Sequence, residues 1–421
     1  MKLSKPKEIF DQIKLVQGEN LAITAILALL LSLQLTGLLQ FQVLGIFNLS
    51  AVMAVTALIA FAGFVFARNI PVSRYLSTGL VLALLFLVWV WFEAFRSPLP
   101  VKGLTMFLLA AGNIIILAVV GSSIKLIKDF SRLNKSVFLL GVLIASLNLV
   151  LVIWTLWGLL LSTGNYEGIL SPPVFRYFMG EKGLAGDPNF YSIWMSISLL
   201  CGVGLIKDSS KWWKWAGIFV IGVSLLLNSS RGFIVASFGA TAVFVVIWFL
   251  GNKGFRKTVG AYLRQLIILA FLLLSISLIP FPYSGKSIAQ YVLVERSQES
   301  QSRLQLWSQS WGEAKKNIWF GQGLRATELS LGWFDSHNSY IDLLVDTGIV
   351  GLLLWGTFAG FVLRRALCLM KVGVVLPWIH SLLVTLIFIF FFSFLYNPFF
   401  WLLAAVILGY TQKDDSLDAA E

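Results

Sequence analysis

Of the two histidines in 421 residues, His337 stands in the polar run Asp335-Ser336-His337-Asn338-Ser339-Tyr340, just ahead of an apolar stretch that opens near Gly348. An imidazole in that setting can exchange a proton near neutral pH, so it is a candidate acid or base. A glycine turn, Gly321-Gln322-Gly323, lies upstream of it. Further back, Asn228-Ser229-Ser230-Arg231 breaks an apolar run of only sixteen residues, Trp212 to Leu227. At 1.5 Å per residue that run makes about 24 Å of helix, short of a hydrocarbon core of about 30 Å. Arg231 is therefore expected at or below the outer interface, inside a bundle, where an uncompensated arginine costs about 3 kcal/mol or more and calls for an anion.

These residues need elements to hold them, and composition says which. The chain is 58% hydrophobic and 12% charged, against roughly 25% charged in a soluble domain. Apolar stretches near 20 residues recur without β-barrel alternation, which predicts an all-α integral membrane protein with about twelve transmembrane helices. The predicted spans are 21–40, 43–66, 75–95, 103–121, 136–161, 189–206, 213–227, 232–250, 265–282, 347–363, 373–395 and 399–411. The division that follows is a cytoplasmic segment 1–20, a membrane domain 21–282, an outer loop 283–346, a second membrane part 347–411 and a tail 412–421.

With the N-terminus in the cytoplasm, 21 of the 32 basic residues fall on the inner side, and six of the other eleven lie in the one long outer loop. That distribution follows the positive-inside bias. The net charge of +12 is then mostly topology; dispersed between spans, it is a poor match to nucleic acid. No cleavable signal is read in 1–20, and the two cysteines, Cys201 and Cys368, are expected to form neither a disulfide nor a metal site.

Two interruptions and one insertion mark the outer side. In Gly186-Asp187-Pro188-Asn189 the proline restricts Asp187 to extended geometry and lets a helix start after it. The 283–346 insertion is long enough to hold helices of its own. Arg303 through Trp311 and Ala314 has helical spacing, and Ser336 is the expected N-cap of a helix carrying His337 in its first turn. Asp335, Asp342 and Asp346 are read as capping or solvating that helix start. Asn397-Pro398 splits the last pair of spans. His380, after Pro377 and Trp378, is read as packing. Trp307, Trp311, Trp319 and Trp333 are open to either carbohydrate stacking or interfacial packing.

The ordered set Asp187-Pro188-Asn189, Ser230-Arg231-Gly232, Arg303 with Trp307, Gly321-Gln322-Gly323 and His337-Asn338-Ser339-Tyr340 resembles the O-antigen ligase/polymerase superfamily of bacterial membrane glycosyltransferases. One departure stands out: members usually carry a proline just before the glycine turn, where this chain has Asn317-Ile318-Trp319-Phe320. The resemblance implies a GT-C-like fold and transfer of a glycan from an undecaprenyl-diphosphate-linked donor to a glycan or lipid-core acceptor at the outer face of the inner membrane. It makes His337 the catalytic histidine and gives Arg231, Arg303 and Arg325 to the diphosphate. Asp187, Asn189, Gly321, Gly323, Asn338 and Tyr340 are its other motif positions. Neither metal nor cofactor is expected, since fixed arginines can stabilise the leaving group electrostatically. The partners implied are the lipid-linked donor, the acceptor and membrane lipids. The alternative is an anion or solute transporter, which would not require a loop histidine beside Arg303; a structural scaffold would have no use for a buried Arg231.

Overall fold

The computed structural model describes residues 18–31, 42–43, 47–48, 72–163, 171–181, 187–206, 211–281, 285–295, 298–332, 335–393 and 397–411. Apart from an antiparallel pairing of Gln42–Val43 with Phe47–Asn48 and an isolated antiparallel bridge between Pro280 and Ser287, the described residues are helical or lie in turns and connecting segments. The helices are α1 (Gly18–Leu31), α2 (Arg74–Phe95), α3 (Pro100–Ile124), α4 (Phe130–Thr163), the short α5 (Pro172–Arg176), α6 (Pro188–Gly204), α7 (Trp212–Asn228), α8 (Arg231–Leu250) and α9 (Lys253–Ser277). After them come α10 (Gln298–Ala314), α11 (Ala326–Ser330), α12 (Ser339–Leu369), α13 (Leu376–Phe388) and α14 (Pro398–Gly409).

Six of these (α2, α3, α4, α8, α9 and α12) are long and apolar enough to cross a membrane, and α1, α7, α13 and α14 are shorter apolar helices. The chain is a multi-pass membrane protein. Of the twelve expected spans, 43–66 falls outside the described residues except for the paired Val43 and Phe47–Asn48. Three boundaries differ from expectation. The stretch 251–264, expected as a loop, is mostly the first part of α9, capped by the Asn252 side chain accepting from the Phe255 N–H at 3.0 Å. The expected boundary at 346/347 falls inside α12, which runs through it with a kink at Gly348. The span expected to reach 395 ends as a helix at Phe388.

Length and burial go together in opposite directions. Nearly every residue of α6 from Tyr191 to Val203, and of α14 from Phe399 to Gly409, is buried. A helix apolar on all sides belongs in the middle of a bundle. Long helices such as α2 and α4 lie at the periphery: Val81, Leu84, Leu85 and Val88 on α2, and Trp154, Trp157 and Leu161 on α4, are exposed. In water such surfaces would drive aggregation; in lipid they face a solvent as apolar as themselves. Because neighbours sheathe them, the short central helices can end within the bundle and open a polar site there.

Candidate functional site

The segment expected as the outer loop is fastened to the bundle through its glycine turn. The N–H groups of Gln322 and Gly323 donate to the carbonyls of Val345 (2.9 Å) and Asp346 (3.0 Å), and Ile349 donates to Ile318 (2.8 Å). Gly321, Gly323 and Gly348 all have positive φ, which only glycine adopts without strain. A Cβ on Gly321 would meet the Asp346 carbonyl at 2.5 Å, and one on Gly323 would overlap the backbone of Arg96. Arg96 then donates to the carbonyls of Phe320 (3.1 Å) and Gly321 (3.0 Å). The Asn317 side chain also donates to the Gly321 carbonyl, at 2.6 Å.

The histidine loop is closed by its own side chains. Asn338, not Ser336, caps α12: its Oδ1 accepts from the N–H of Tyr340 (3.0 Å) and Ile341 (3.2 Å). Ser336 instead wraps the turn, its hydroxyl accepting from Asn338 N–H (3.1 Å) and donating to the Asn338 carbonyl (3.0 Å). His337 therefore sits before the helix, at φ 56°, rather than in its first turn. Asp342 lies in the first turn of α12, and Asp346 caps the start of a different helix, α11. Asp342 accepts from Ser336 N–H (3.2 Å) and from the Ser393 hydroxyl. Asp346 accepts from the N–H groups of Arg325 (2.8 Å) and Thr327 (3.1 Å) and from the Thr327 hydroxyl (3.0 Å). Both carboxylates staple separate loops to α12.

Arg231 is aimed by the early end of α7. Asn228 donates to the Pro188 carbonyl (2.6 Å) and to Ser192 Oγ (2.7 Å), and Ser229 adopts a left-handed C-cap at φ 52°. The chain reverses there and Arg231 opens α8. Asp187 is the N-cap of α6, accepting from the N–H groups of Asn189 (2.7 Å) and Phe190 (3.1 Å). Asn189 in turn accepts from the Ser230 hydroxyl (3.0 Å). From α10, Arg303 comes down over the same place, with a long contact to the Phe391 carbonyl (3.5 Å). Arg231 and Arg303 line one small pocket of ≈ 30 Å³ together with Arg176, Asn189, Ser230 and Phe391.

His337 stacks on Phe392 (centroids 6.0 Å apart, planes at 21°). Its Nδ1 is buried without a hydrogen-bond partner among the described residues. Burial, and next the Arg303 charge, lower its pKa below the ordinary histidine value, while Asp335 and Asp187 oppose the shift. The ring thus stays neutral, and able to accept a proton, to lower pH than a free histidine.

Arg325 is not brought to the other arginines. It pairs with Glu328 (2.6 Å) and Asp335 (3.2 Å) on the wall of a separate cavity of ≈ 290 Å³, which Phe190, Ser339 and Ser393 also line. Tyr340 is a packing anchor, its hydroxyl donating to the Leu386 carbonyl at 2.8 Å. His380 is buried in the bundle against Phe244, with Thr241 and Tyr262 at 3.4 and 3.3 Å. Trp307 packs edge-on against Phe390, Trp311 and Trp319 are exposed, and Trp333 lies outside the described residues.

Two parts of the site escape a reading of the sequence. Arg176 ends the short helix after Pro172-Pro173, and a basic residue following a proline pair was its only cue. Residues 389–393 form an unwound wall, held as the Ser339 N–H donates to the Ile389 carbonyl (2.9 Å) and its hydroxyl to that of Phe392 (2.7 Å). The break at Asn397-Pro398 hinted at it. Comparison with curated proteins finds no match. Residues 216–356, which carry Arg231, Arg303, the glycine turn and His337, match the family model described as O-antigen ligase, so this segment of the chain is similar to that family.

Proposed function

We propose that the protein transfers a glycan from an undecaprenyl-diphosphate-linked donor to a sugar hydroxyl at the outer face of the bacterial inner membrane, in the making of cell-surface polysaccharide. The observation that carries this reading is that Arg231 and Arg303, far apart in sequence, line one pocket, with His337 close enough to feel the Arg303 charge. In the reaction the acceptor oxygen forms a bond to the anomeric carbon and its proton passes to the His337 imidazole. The bond from that carbon to the diphosphate oxygen breaks, and undecaprenyl diphosphate leaves with the electron pair. Arg231, Arg303 and Arg176 hold the growing negative charge through charge-assisted hydrogen bonds, which guanidinium groups can make in pairs. A pocket of ≈ 30 Å³ has room for about one water, so the donor must displace the Phe391 wall as it enters. The 21 basic residues on the inner side support a site that faces outward. The acceptor is a second lipid-linked glycan in a polymerase and a lipid-anchored core in a ligase.

The deciding experiment is transfer by purified protein in detergent from lipid-linked donor extracted from the producing cells. His337→Ala is expected to lower the rate about 10²–10⁴-fold while donor binding persists, because the ring lies in a loop and its loss opens no core cavity. Near-normal turnover in that variant would remove the general-base role and favour the transporter reading.

A further inference from the structure

The ≈ 290 Å³ cavity has no part in the diphosphate grip, and its position relative to the arginine pocket is specific. Two chain segments line both. Asn189 lines the arginine pocket and its neighbour Phe190 lines the cavity; Phe391 faces the first and Ser393 the second. The loop Asp335–Ser339 borders the cavity at both ends, and at its centre His337 interacts electrostatically with both Arg303 and Asp335. Its ring stacks on Phe392, the residue between Phe391 of the one lining and Ser393 of the other, which puts the histidine beside the seam between the two spaces. If the leaving group departs toward the arginines, the nucleophile must arrive from the other side of that seam.

The lining says what class of molecule fits. The carboxylates of Asp342 and Asp346 are committed to the stapling contacts described above. Glu328 is paired with Arg325 and Lys102, and Arg325 also with Asp335. Cation and acid are thus used on each other, and a phosphate entering here would meet more carboxylate than guanidinium. Hydroxyl donors would find acceptors, and Phe190, Met106 and Leu109 offer apolar surface to the C–H faces of a sugar ring. The volume equals that of roughly ten waters at about 30 Å³ each. Resting on the transfer reading above, we propose that this cavity is the acceptor subsite and takes an uncharged glycan terminus, presenting one of its hydroxyls to His337.

The test fills the cavity from its far wall, on α3, away from the arginines and the histidine. Met106→Trp and Leu109→Trp are each expected to raise the acceptor KM at least tenfold and leave the donor KM within twofold. An unchanged acceptor KM in both variants, or a parallel rise in donor KM, would overturn the assignment. A wild-type protein that transfers nothing would instead count against the transfer reading. In that event, binding is read directly with two probes from the producing cells: oligosaccharide released from the lipid-linked pool by mild acid, and de-acylated core oligosaccharide. Binding of either to wild type, lost in Met106→Trp, keeps the cavity as a glycan site; binding of neither, or binding unaltered by the tryptophan, removes it. Whichever probe binds also tells a polymerase from a ligase.

Discussion

The glycine turn and the arginine pocket are built from different material. At the turn, backbone touches backbone: Gly321, Gly323 and Gly348 let three segments approach closer than any side chain permits. In the pocket, it is side chains from α5, α6, α8 and α10 that converge. Both were motif positions of equal standing in the sequence. The first kind of motif residue fixes where the loop sits, whereas the second, in the function proposed, does the work that the location makes possible. Variants in the two regions should therefore fail differently.

The largest effect on folding is expected at Gly323→Ala. A left-handed φ costs an ordinary residue about 1–2 kcal/mol, and overlap with the Arg96 backbone adds about 1–3 kcal/mol. Thermal unfolding of the detergent-purified protein should show a lowered Tm, with binding and turnover lost together. A wild-type Tm in this variant would mean that the turn is not a weld.

Arg303→Gln should invert that pattern, with Tm unchanged and donor affinity down. Loss of charge-assisted hydrogen bonds worth about 1.5–3 kcal/mol corresponds to roughly a 10–150-fold rise in donor KM. Arg176→Gln should behave alike, and a normal donor KM there would exclude it from the grip. Arg303→Gln carries a second signature. Since the Arg303 charge helps lower the His337 pKa, its removal lets that pKa rise. The neutral base is then lost at a higher pH, so the acid limb of residual activity should move upward from its wild-type position, which is expected below the usual histidine value of about 6.5. An unmoved acid limb would separate Arg303 from the histidine.

The smallest effect is expected at Asn317→Ala, which removes one side-chain hydrogen bond to the turn at about 1 kcal/mol. A modest drop in Tm with near-normal transfer would place Asn317 with the glycines; a drop in rate alone would place it with the arginines.

How much was legible divides along similar lines. Apolar run lengths located the helices because burial in lipid acts on every residue of a span. The short α7 and Arg231 could be read because a charge there has few permitted positions. What local pattern hid was set by distant partners. Ser336 has the chemistry of an N-cap, but Asn338, two residues on, competes for the same helix start and holds it. The aspartates at 342 and 346 look like a solvated helix face, yet their acceptors are spent on Ser336, Ser393, Arg325 and Thr327. The loop at 389–393 unwinds for bonds made by Ser339, fifty residues away, and nothing in Phe390-Phe391-Phe392 announces that. Arg176 becomes part of a site only when α8 and α10 arrive beside it.

The end of α6 serves two masters through consecutive residues, Asn189 toward the arginines and Phe190 toward the cavity. A helix end moves as a unit, so any displacement on filling one space is transmitted to the other without an intervening relay. If the two spaces hold donor and acceptor as proposed, thermodynamic linkage makes the coupling reciprocal: whatever factor a bound diphosphate contributes to glycan affinity, the glycan returns to the diphosphate. Order of addition, and the tendency of the enzyme to hold a donor idle until an acceptor arrives, would then be set at one capped turn of helix.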